Sequence, residues 1–485
     1  LWLLFAVDAA VAAPVAPTTP VSASEELGSV SIAVSDRGVV VASWSAGPQG
    51  IAKVRVAHER VGRSRWAVSQ PLADGTSPRL AVDGRGDAVA IWRSDGPPLG
   101  SGAPGLLNAA VRPAGLGHWR APTVIARLQP SEGSDTMPSV AIGAGGEVVI
   151  VWSEGSEEEP DTSTAVEPGE IIQAVSGSAV TGRFGPSSAL SPATDFAHAP
   201  HAALDGRGDA VVVWETSVRT TTVFEGQAVQ AAWRPSGGGW HQPITLARAI
   251  EGLSHPQVAI DAEGRAVAVW ERGPNDARSE SAPASAVESA FGNASAASWG
   301  AAQALSSPGE SASDVDLASA PTGRIFAAWE RKSRTSNAVV AVGGSTASGT
   351  WESEATVAVW GHIAPAIRTC PRGACRFVRQ LPVAAPRLAM NTHGDAALVW
   401  EQAGAYRPFI RAARRSTSGR EWLEPVRVSA PGASEAGVAL DGSDDAFVIW
   451  RAVGTQVATA LETAELPNAR PCAPARCGAS AHATS

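Results

Sequence analysis

The chain has 485 residues, 44% of them hydrophobic and 18% charged, with a formal net charge of −9. That acidic balance, with no basic stripe interleaved with aromatics, argues against nucleic acid as a partner, since phosphate binding needs clustered Lys and Arg. The 49 Gly and 35 Pro suit a chain with many tight turns, although length alone would divide it into about three domains.

Residues 1–14, LWLLFAVDAAVAAP, read as the end of a secretory signal: an apolar stretch, then Ala10-Val11-Ala12 as a cleavage site. Asp8 interrupts the stretch, which is too short for a membrane span. Residues 1–18 are therefore expected to be signal remnant and linker, and the protein to be secreted or associated with the cell envelope.

From residue 27 onward one phrase recurs eight times. It reads LAVDGRGDAVAIW at 80–92, AALDGRGDAVVVW at 202–214, VAIDAEGRAVAVW at 258–270, LAMNTHGDAALVW at 388–400 and VALDGSDDAFVIW at 438–450, with more worn copies elsewhere. The closing tryptophans are Trp44, Trp92, Trp152, Trp214, Trp270, Trp329, Trp400 and Trp450. A period of roughly 50–70 residues belongs to propeller blades or solenoid units. Within a copy, a short alternating strand leads to a Gly- and Asp-rich hairpin turn, then to an unbroken apolar run suited to a strand buried on both faces. Six residues before each Trp stands Gly38, Gly86, Gly146, Gly208, Gly264, Gly323 or Gly394, with Asp444 in the eighth copy; all tolerate the left-handed backbone region. A second hairpin follows, as in LNAAVRPA (107–114), VQAAWRPS (229–236) and FIRAARRS (409–416), then a Gly-rich turn and another aromatic: Trp66, Trp119, Phe184, Trp240, Trp299, Trp351 or Trp422.

Four short antiparallel strands per radial unit make a propeller blade. The expected fold is all-β: one β-propeller of eight four-stranded blades over residues 19–465, with seven as the alternative. The eighth copy lacks its fourth strand, and TPVSASEELGSVSIAV (19–34) aligns with EPVRVSAPGASEAGVAL (424–440). A strand at residues 20–25 should thus pair near 455–463 and close the ring, removing exposed edges. The eight tryptophans are read as packing between blades, since indole buries a large apolar area. Residues 356–382 read as an insertion and 154–170 as an acidic loop; 466–485 form a tail outside the ring.

The four cysteines fall in two C-x4-C pairs, Cys370/Cys375 and Cys472/Cys477. Two local disulfides or one shared zinc site would both use them; matched local spacing and an exported chain favour Cys370–Cys375 and Cys472–Cys477 disulfides. Two turns contain Gly-Arg-Gly-Asp, at residues 84–87 and 206–209, but other copies read AEGR, THGD and GSDD there, so a turn explains them better than an adhesion tripeptide. Calcium at Asp83/Asp87 or Asp441/Asp444/Asp445 lacks the EF-hand spacing. The nine histidines are scattered; His198 and His201 lie close, with no third ligand in sequence. No nucleophile elbow, zinc-protease motif or P-loop occurs. No catalytic, cofactor or metal residues are assigned.

The turns TSGREWLEPVRVS (417–429) and PAGLGHWRAPTVIA (113–126) resemble degenerate Asp-box turns of sialidase-type propellers. Gly419 and Trp422 keep the G-x-x-W half, whereas Thr417 replaces the Asp and Arg415 the Ser. The repeat as a whole resembles secreted repeat proteins of high-GC bacteria. The resemblance implies a propeller fold; sialidase chemistry would further require three arginines on the substrate carboxylate, a Tyr–Glu nucleophile and an acidic proton donor. The chain has a single Tyr, Tyr406, and Arg407-Pro408-Phe409-Ile410 departs from the Arg-Ile-Pro segment of that family. Two functions are carried forward: a secreted, monomeric, non-enzymatic propeller binding an extracellular glycan, peptide or envelope partner, and a sialidase-like glycoside hydrolase. They differ in the channel: an enzyme should gather charged groups with perturbed pKa values at one end, a scaffold small and apolar ones.

Overall fold

A computed structural model of the protein describes residues 19–23, 27–47, 52–60, 66–68, 71–94, 105–128, 138–155, 170–192, 196–219, 224–250, 252–273, 285–293, 298–333, 336–361, 366–369, 376–379, 385–403, 407–419, 421–453 and 459–466. Among these residues every regular element is a β-strand. The cysteines, Tyr406, most of the acidic loop, the first 18 residues and the tail lie outside them.

Each sequence repeat folds into one antiparallel unit in which successive strands pair in order. Repeat 4 is the most regular: Phe196–Leu204, Ala210–Arg219, Phe224–Arg234 and Ile244–Ala249. The first strands of the repeats touch one another in chain order, and that of repeat 8, Ala433–Leu440, touches that of repeat 1, Leu27–Val34. The result is a β-propeller arrangement with the first strands around a central channel. Its last unit is completed from the other end of the chain: Thr19–Ala23 pairs antiparallel with Thr459–Leu466, Thr19 opposite Thr463 and Ala23 opposite Ala460.

The local reasons are chemical. The seven glycines six residues before each Trp have φ between 70° and 96°, and Asp444 in the eighth turn has φ 70°. Asp444 meets this backbone cost with a buried ion pair to Arg414 of repeat 7. In repeats 2, 4, 5, 7 and 8 an Asp or Asn at the start of the turn holds it shut. Asp83 Oδ1 accepts the N–H groups of Arg85, Gly86 and Asp87 at 2.8–3.0 Å, and Asp205, Asp261, Asn391 and Asp441 do the same in their copies. The apolar run that follows is buried throughout, and all eight tryptophans are 0–2% exposed.

Each Trp packs against the preceding repeat. Trp214 lies with Val149, Val151 and Ile172 of repeat 3, Trp270 with Val211, Val213 and Val229 of repeat 4, and Trp450 with Val399 and Ile410 of repeat 7. Trp44 meets Ile449, so the same contact spans the seam between the last repeat and the first.

The units are less uniform than a set of identical four-stranded blades. In repeats 1, 5 and 6 the fourth strand is broken in two, as at Ser298–Trp299 and Gln303–Ala304. Trp299 and Trp351 lie directly on Gly292 and Gly344 of the third strand, where a Cβ would come within 2.5–2.7 Å of the indole. Repeats 3 and 4 merge into one sheet through a single parallel bridge between Glu170 and Phe196. The expected insertion is shorter than 356–382: Ala355–Gly361 is the outer strand of repeat 6, and Ala366–Thr369 with Arg376–Arg379 form a separate hairpin.

Trp214→Ala should lower unfolding free energy by about 3–5 kcal/mol, the range for emptying a large aromatic site; urea titration followed by circular dichroism checks it. Removing residues 1–26 should lower the melting temperature by several degrees, since a ladder and its packing are lost, and should promote self-association through the uncovered edge of Thr459–Leu466. Calorimetry and light scattering read the two effects.

Candidate functional site

At the end of the channel away from the glycine turns, the first strands share a feature with no counterpart in the repeated phrase. Fifteen residues before the Trp the backbone bulges: Ser77, Ala199, His255, Asp314, Ala385 and Glu435 have φ between 37° and 58°, and the ladder register shifts there in all but the repeat of Ala385. A proline follows in four of the six (Pro78, Pro200, Pro256, Pro386), where its missing N–H costs no ladder bond. Bulges re-aim side chains and cluster near binding sites.

Two positions beyond the bulge, every repeat places one residue at the same height, opposite the residue that precedes the Trp. Around the ring these are Ser31, Arg79, Ser139, His201, Gln257, Asp316, Arg387 and Gly437. Two residues further on, all eight copies carry alanine, from Ala33 to Ala439. Ala81, Ala141, Ala203 and Ala259 line a cavity of about 300 Å³ in the channel, with Ile142, Leu204 and Ile260. A varied polar ring thus stands over a constant apolar collar.

Hydrogen bonds between neighbouring repeats fix half of this ring. Ser139 Oγ accepts from Ala202 N (3.2 Å), His201 Nδ1 from Val258 N (3.3 Å), Gln257 Oε1 from Leu317 N (3.0 Å) and Asp316 Oδ2 from Leu388 N (2.6 Å). Because Nδ1 of His201 accepts, its neutral ring carries the proton on Nε2. Burial, then the charge of Arg79, lowers the His201 pKa to about 4, so the ring is neutral at pH 7. Burial raises the Asp316 pKa against the opposing pull of Arg387 and the bonds it accepts. Burial, then Arg387, lowers that of Arg79. Arg79 makes no hydrogen bond or ion pair with another described residue.

Above the ring, the residue after each Trp forms an acidic rim: Glu215, Glu271, Glu330 and Glu401, with Arg93 and Arg451. These groups are engaged. His198 Nε2 lies 2.8 Å from Glu215 and His255 Nδ1 3.6 Å from Glu271. Lys332 meets Glu330 at 2.9 Å, Arg451 meets Glu435 at 2.7 Å, and Glu271 also accepts from Val315 N of the next repeat. Burial opposes the charge of His198, but the Glu215 hydrogen bond and charge outweigh it and raise its pKa; the Glu271 bond raises that of His255.

His198 and His201 are therefore split by the bulge and serve different partners. The Gly-Arg-Gly-Asp turns sit at the opposite end, with their carboxylates occupied. Asp87 and Asp209 accept from Ala114 N and Ser236 N at 2.7 Å, and Arg85 reaches both Asp83 and Asp87. Asp395 accepts from Thr417 N at 2.7 Å, which ties the Asp-box-like turn to the first hairpin. Among the described residues no group of three or more His, Cys, Asp or Glu is arranged to hold a metal ion. The four cysteines and Tyr406 lie outside the described residues. The ring residues escaped the sequence reading because they differ between neighbouring copies; the constant alanine two residues later and the proline before them were the available signals.

No protein-family model and no curated protein sequence matches the chain. Among solved structures it is similar to an ulvan lyase of a polysaccharide lyase family (11% identity, TM-score 0.46, covering 81% of this chain and 96% of the other). It is also similar to the β-propeller domain of the trilobed protease from Pyrococcus furiosus (6%, 0.42, 84% and 98%) and to a Trypanosoma rangeli sialidase (10%, 0.38, 91% and 55%). At this level of likeness no residue's role passes from those proteins to this chain.

The depressed pKa of His201 has a signed consequence. Its folded value of about 4 lies below the ordinary 6.5, so its contribution is complete above pH 6.5 and is lost as pH falls toward 4. His201→Gln should remove that loss: from pH 7 to pH 5 the wild type should weaken relative to the variant by about 2 kcal/mol, read by urea titration at both pH values.

Proposed function

We propose that the protein is a secreted propeller of eight blades that acts as a non-enzymatic binding protein and engages its ligand at the bulged end of the channel. The observation that carries this reading is the varied polar ring over the constant alanine collar. A purely structural channel has no use for Ser, Arg, His, Gln and Asp side chains at one height, whereas a recognition surface does. The blade count is supported by one strand unit per repeat, by the unbroken circuit of first-strand contacts and by the Trp44–Ile449 contact at the closing seam. Export is supported by the apolar start with its small-residue site, and by cysteine pairs spaced for local disulfides. Binding is favoured over catalysis because three of the four rim acids, Glu215, Glu271 and Glu330, are already paired with His198, His255 and Lys332.

One observation favours a second reading, a glycoside hydrolase. Asp316 combines a raised pKa with a place on the channel beside Arg387, the attributes of a proton donor. A single experiment separates the two. The purified protein is screened on a glycan and peptide array, and every ligand retained is incubated with wild type and Asp316→Asn while new reducing ends and free sialic acid are measured. Retention without turnover is the expected result. Turnover abolished in Asp316→Asn would replace the binding reading with the enzymatic one, and no retention of any ligand would remove both.

A further inference from the structure

At the glycine-turn end of repeat 6, opposite the bulged mouth, one arginine lacks the partners that its counterpart in repeat 5 keeps. Five residues before the Trp, these repeats carry Arg265 and Arg324. Arg265 Nε donates to Asp261 at 2.7 Å and its Nη2 to Glu263 at 2.8 Å, both within its own turn. In repeat 6 Ala320 and Thr322 stand where those two carboxylates would be. Arg324 Nε is buried with no hydrogen-bond partner among the described residues. The guanidinium makes one long ion contact there, 3.7 Å to Glu352 Oε1. The other oxygen of Glu352 is held by Arg415 of repeat 7 at 3.1 Å. Phe326 supports both arginines, whose Cζ atoms stand 5.2 and 4.8 Å from its ring centre. The Arg324 side chain is three-quarters buried. Unmet donors on such a group are costly unless something else accepts from them.

Arg324 lines a cavity of about 320 Å³ together with Thr322, Ser345, Ser348, Trp351 and Glu352. The indole of Trp351 is partly exposed and held in place. Its Nε1–H donates to Ser289 Oγ of repeat 5 at 3.0 Å, and Phe291 packs on it at 5.6 Å between ring centres. Ser348 and Thr350 join their hydroxyls at 2.6 Å on the exposed turn. We propose that this pocket binds a neutral pyranoside, one sugar ring of a glycan, through two neighbouring hydroxyls and one apolar ring face. The site lies at the other end of the molecule from the channel mouth and is a second one. An arginine and a carboxylate 3.7 Å apart do not hydrogen-bond each other, yet they offer a donor and an acceptor side by side. A sugar hydroxyl both accepts and donates, so adjacent hydroxyls can accept from Arg324 and donate to Glu352. The indole offers apolar surface to the C–H face of the ring, and the volume suits a ligand of monosaccharide size. An anion on Arg324 would meet the half-exposed carboxylate of Glu352 beside it, and like charges repel.

Ligand-observed NMR titration of the full chain tests this. The probes are the methyl glycosides of D-glucose, D-galactose, D-mannose and N-acetyl-D-glucosamine, each beside its per-O-methylated form, with sulfate and D-glucuronate as competitors. At least one glycoside should bind saturably, and its per-O-methylated form at least about tenfold more weakly, because it cannot donate to Glu352. Arg324→Gln and Glu352→Gln should each weaken binding by about tenfold or more. Thr322→Glu and Ala320→Asp each rebuild one of the repeat-5 carboxylates beside Arg324. Each should abolish binding and leave the melting temperature unchanged or higher, because the guanidinium gains the kind of partner that Arg265 has. Glu352→Gln, at a half-exposed position, keeps the test decisive if a turn variant folds poorly. Binding unchanged in both turn variants would overturn the proposal, and its loss in His201→Gln would then place it at the channel mouth. No saturable binding of any of the glycosides would also overturn it, as would displacement by sulfate or glucuronate at concentrations equal to or below that of the glycoside.

Discussion

The structure depends on one contact made once per repeat: the indole of the phrase-closing Trp against the apolar second and third strands of the repeat before it. A four-stranded unit has two faces and no core of its own, so it is stable only when each face is covered by a neighbour. Burying an indole removes roughly 150–250 Å² from water, worth about 4–6 kcal/mol at 25 cal/mol per Å². No single hydrogen bond in the ladder approaches that. The direction of the contact is constant, Trp of one repeat against the repeat before, from Trp92 on Val54 around to Trp44 on Ile449. An open array would leave Ile449 and its neighbours uncovered. Closure by Thr19–Ala23 thus follows from the same requirement and is not a separate device.

The turn chemistry exists to aim that Trp. The apolar run must begin at a fixed angle to the first strand, and the left-handed residue six positions earlier sets it. The capping Asp or Asn then locks the turn through two or three backbone N–H groups, and in repeats 2, 4 and 7 a second Asp reaches across to the next hairpin. This accounts for the recurrence of Asp and Gly in the phrase and for its tolerance of AEGR and THGD variants. What persists in all eight copies is the left-handed residue; with Gly143 and Ala320 at the cap position, repeats 3 and 6 close the turn through backbone bonds. Arg85 and Arg207 merely neutralise the carboxylates beside them.

That division explains what could be read from the sequence. Strands, turns, tryptophans and the complementary chain ends recur, and recurrence is what an alignment of copies exposes. Residues 20–25 were expected to pair near 455–463, and Thr19–Ala23 does pair with Ala460–Thr463. The broken outer strands of repeats 1, 5 and 6 were not legible in the repeated phrase. The ring was not legible for a deeper reason. Arg79, His201, Asp316 and Arg387 lie 71–122 residues apart in neighbouring pairs, in different copies, at a position where no two neighbouring copies agree. A search for shared motifs discards such positions as noise. In a closed ring of repeats they converge on one axis.

The channel therefore answers both descriptions that the sequence left open. Its body is small and apolar, as a scaffold requires, and its bulged mouth collects charged groups with displaced pKa values, as a site requires. The two belong together. The alanines let eight strands approach the axis closely, and this proximity brings side chains from non-neighbouring repeats within range of one another. The bulge then turns the backbone just before the ring, so that its side chains project where the channel widens. Most of these polar groups are satisfied by the adjoining repeat, which stiffens the mouth without consuming its chemistry.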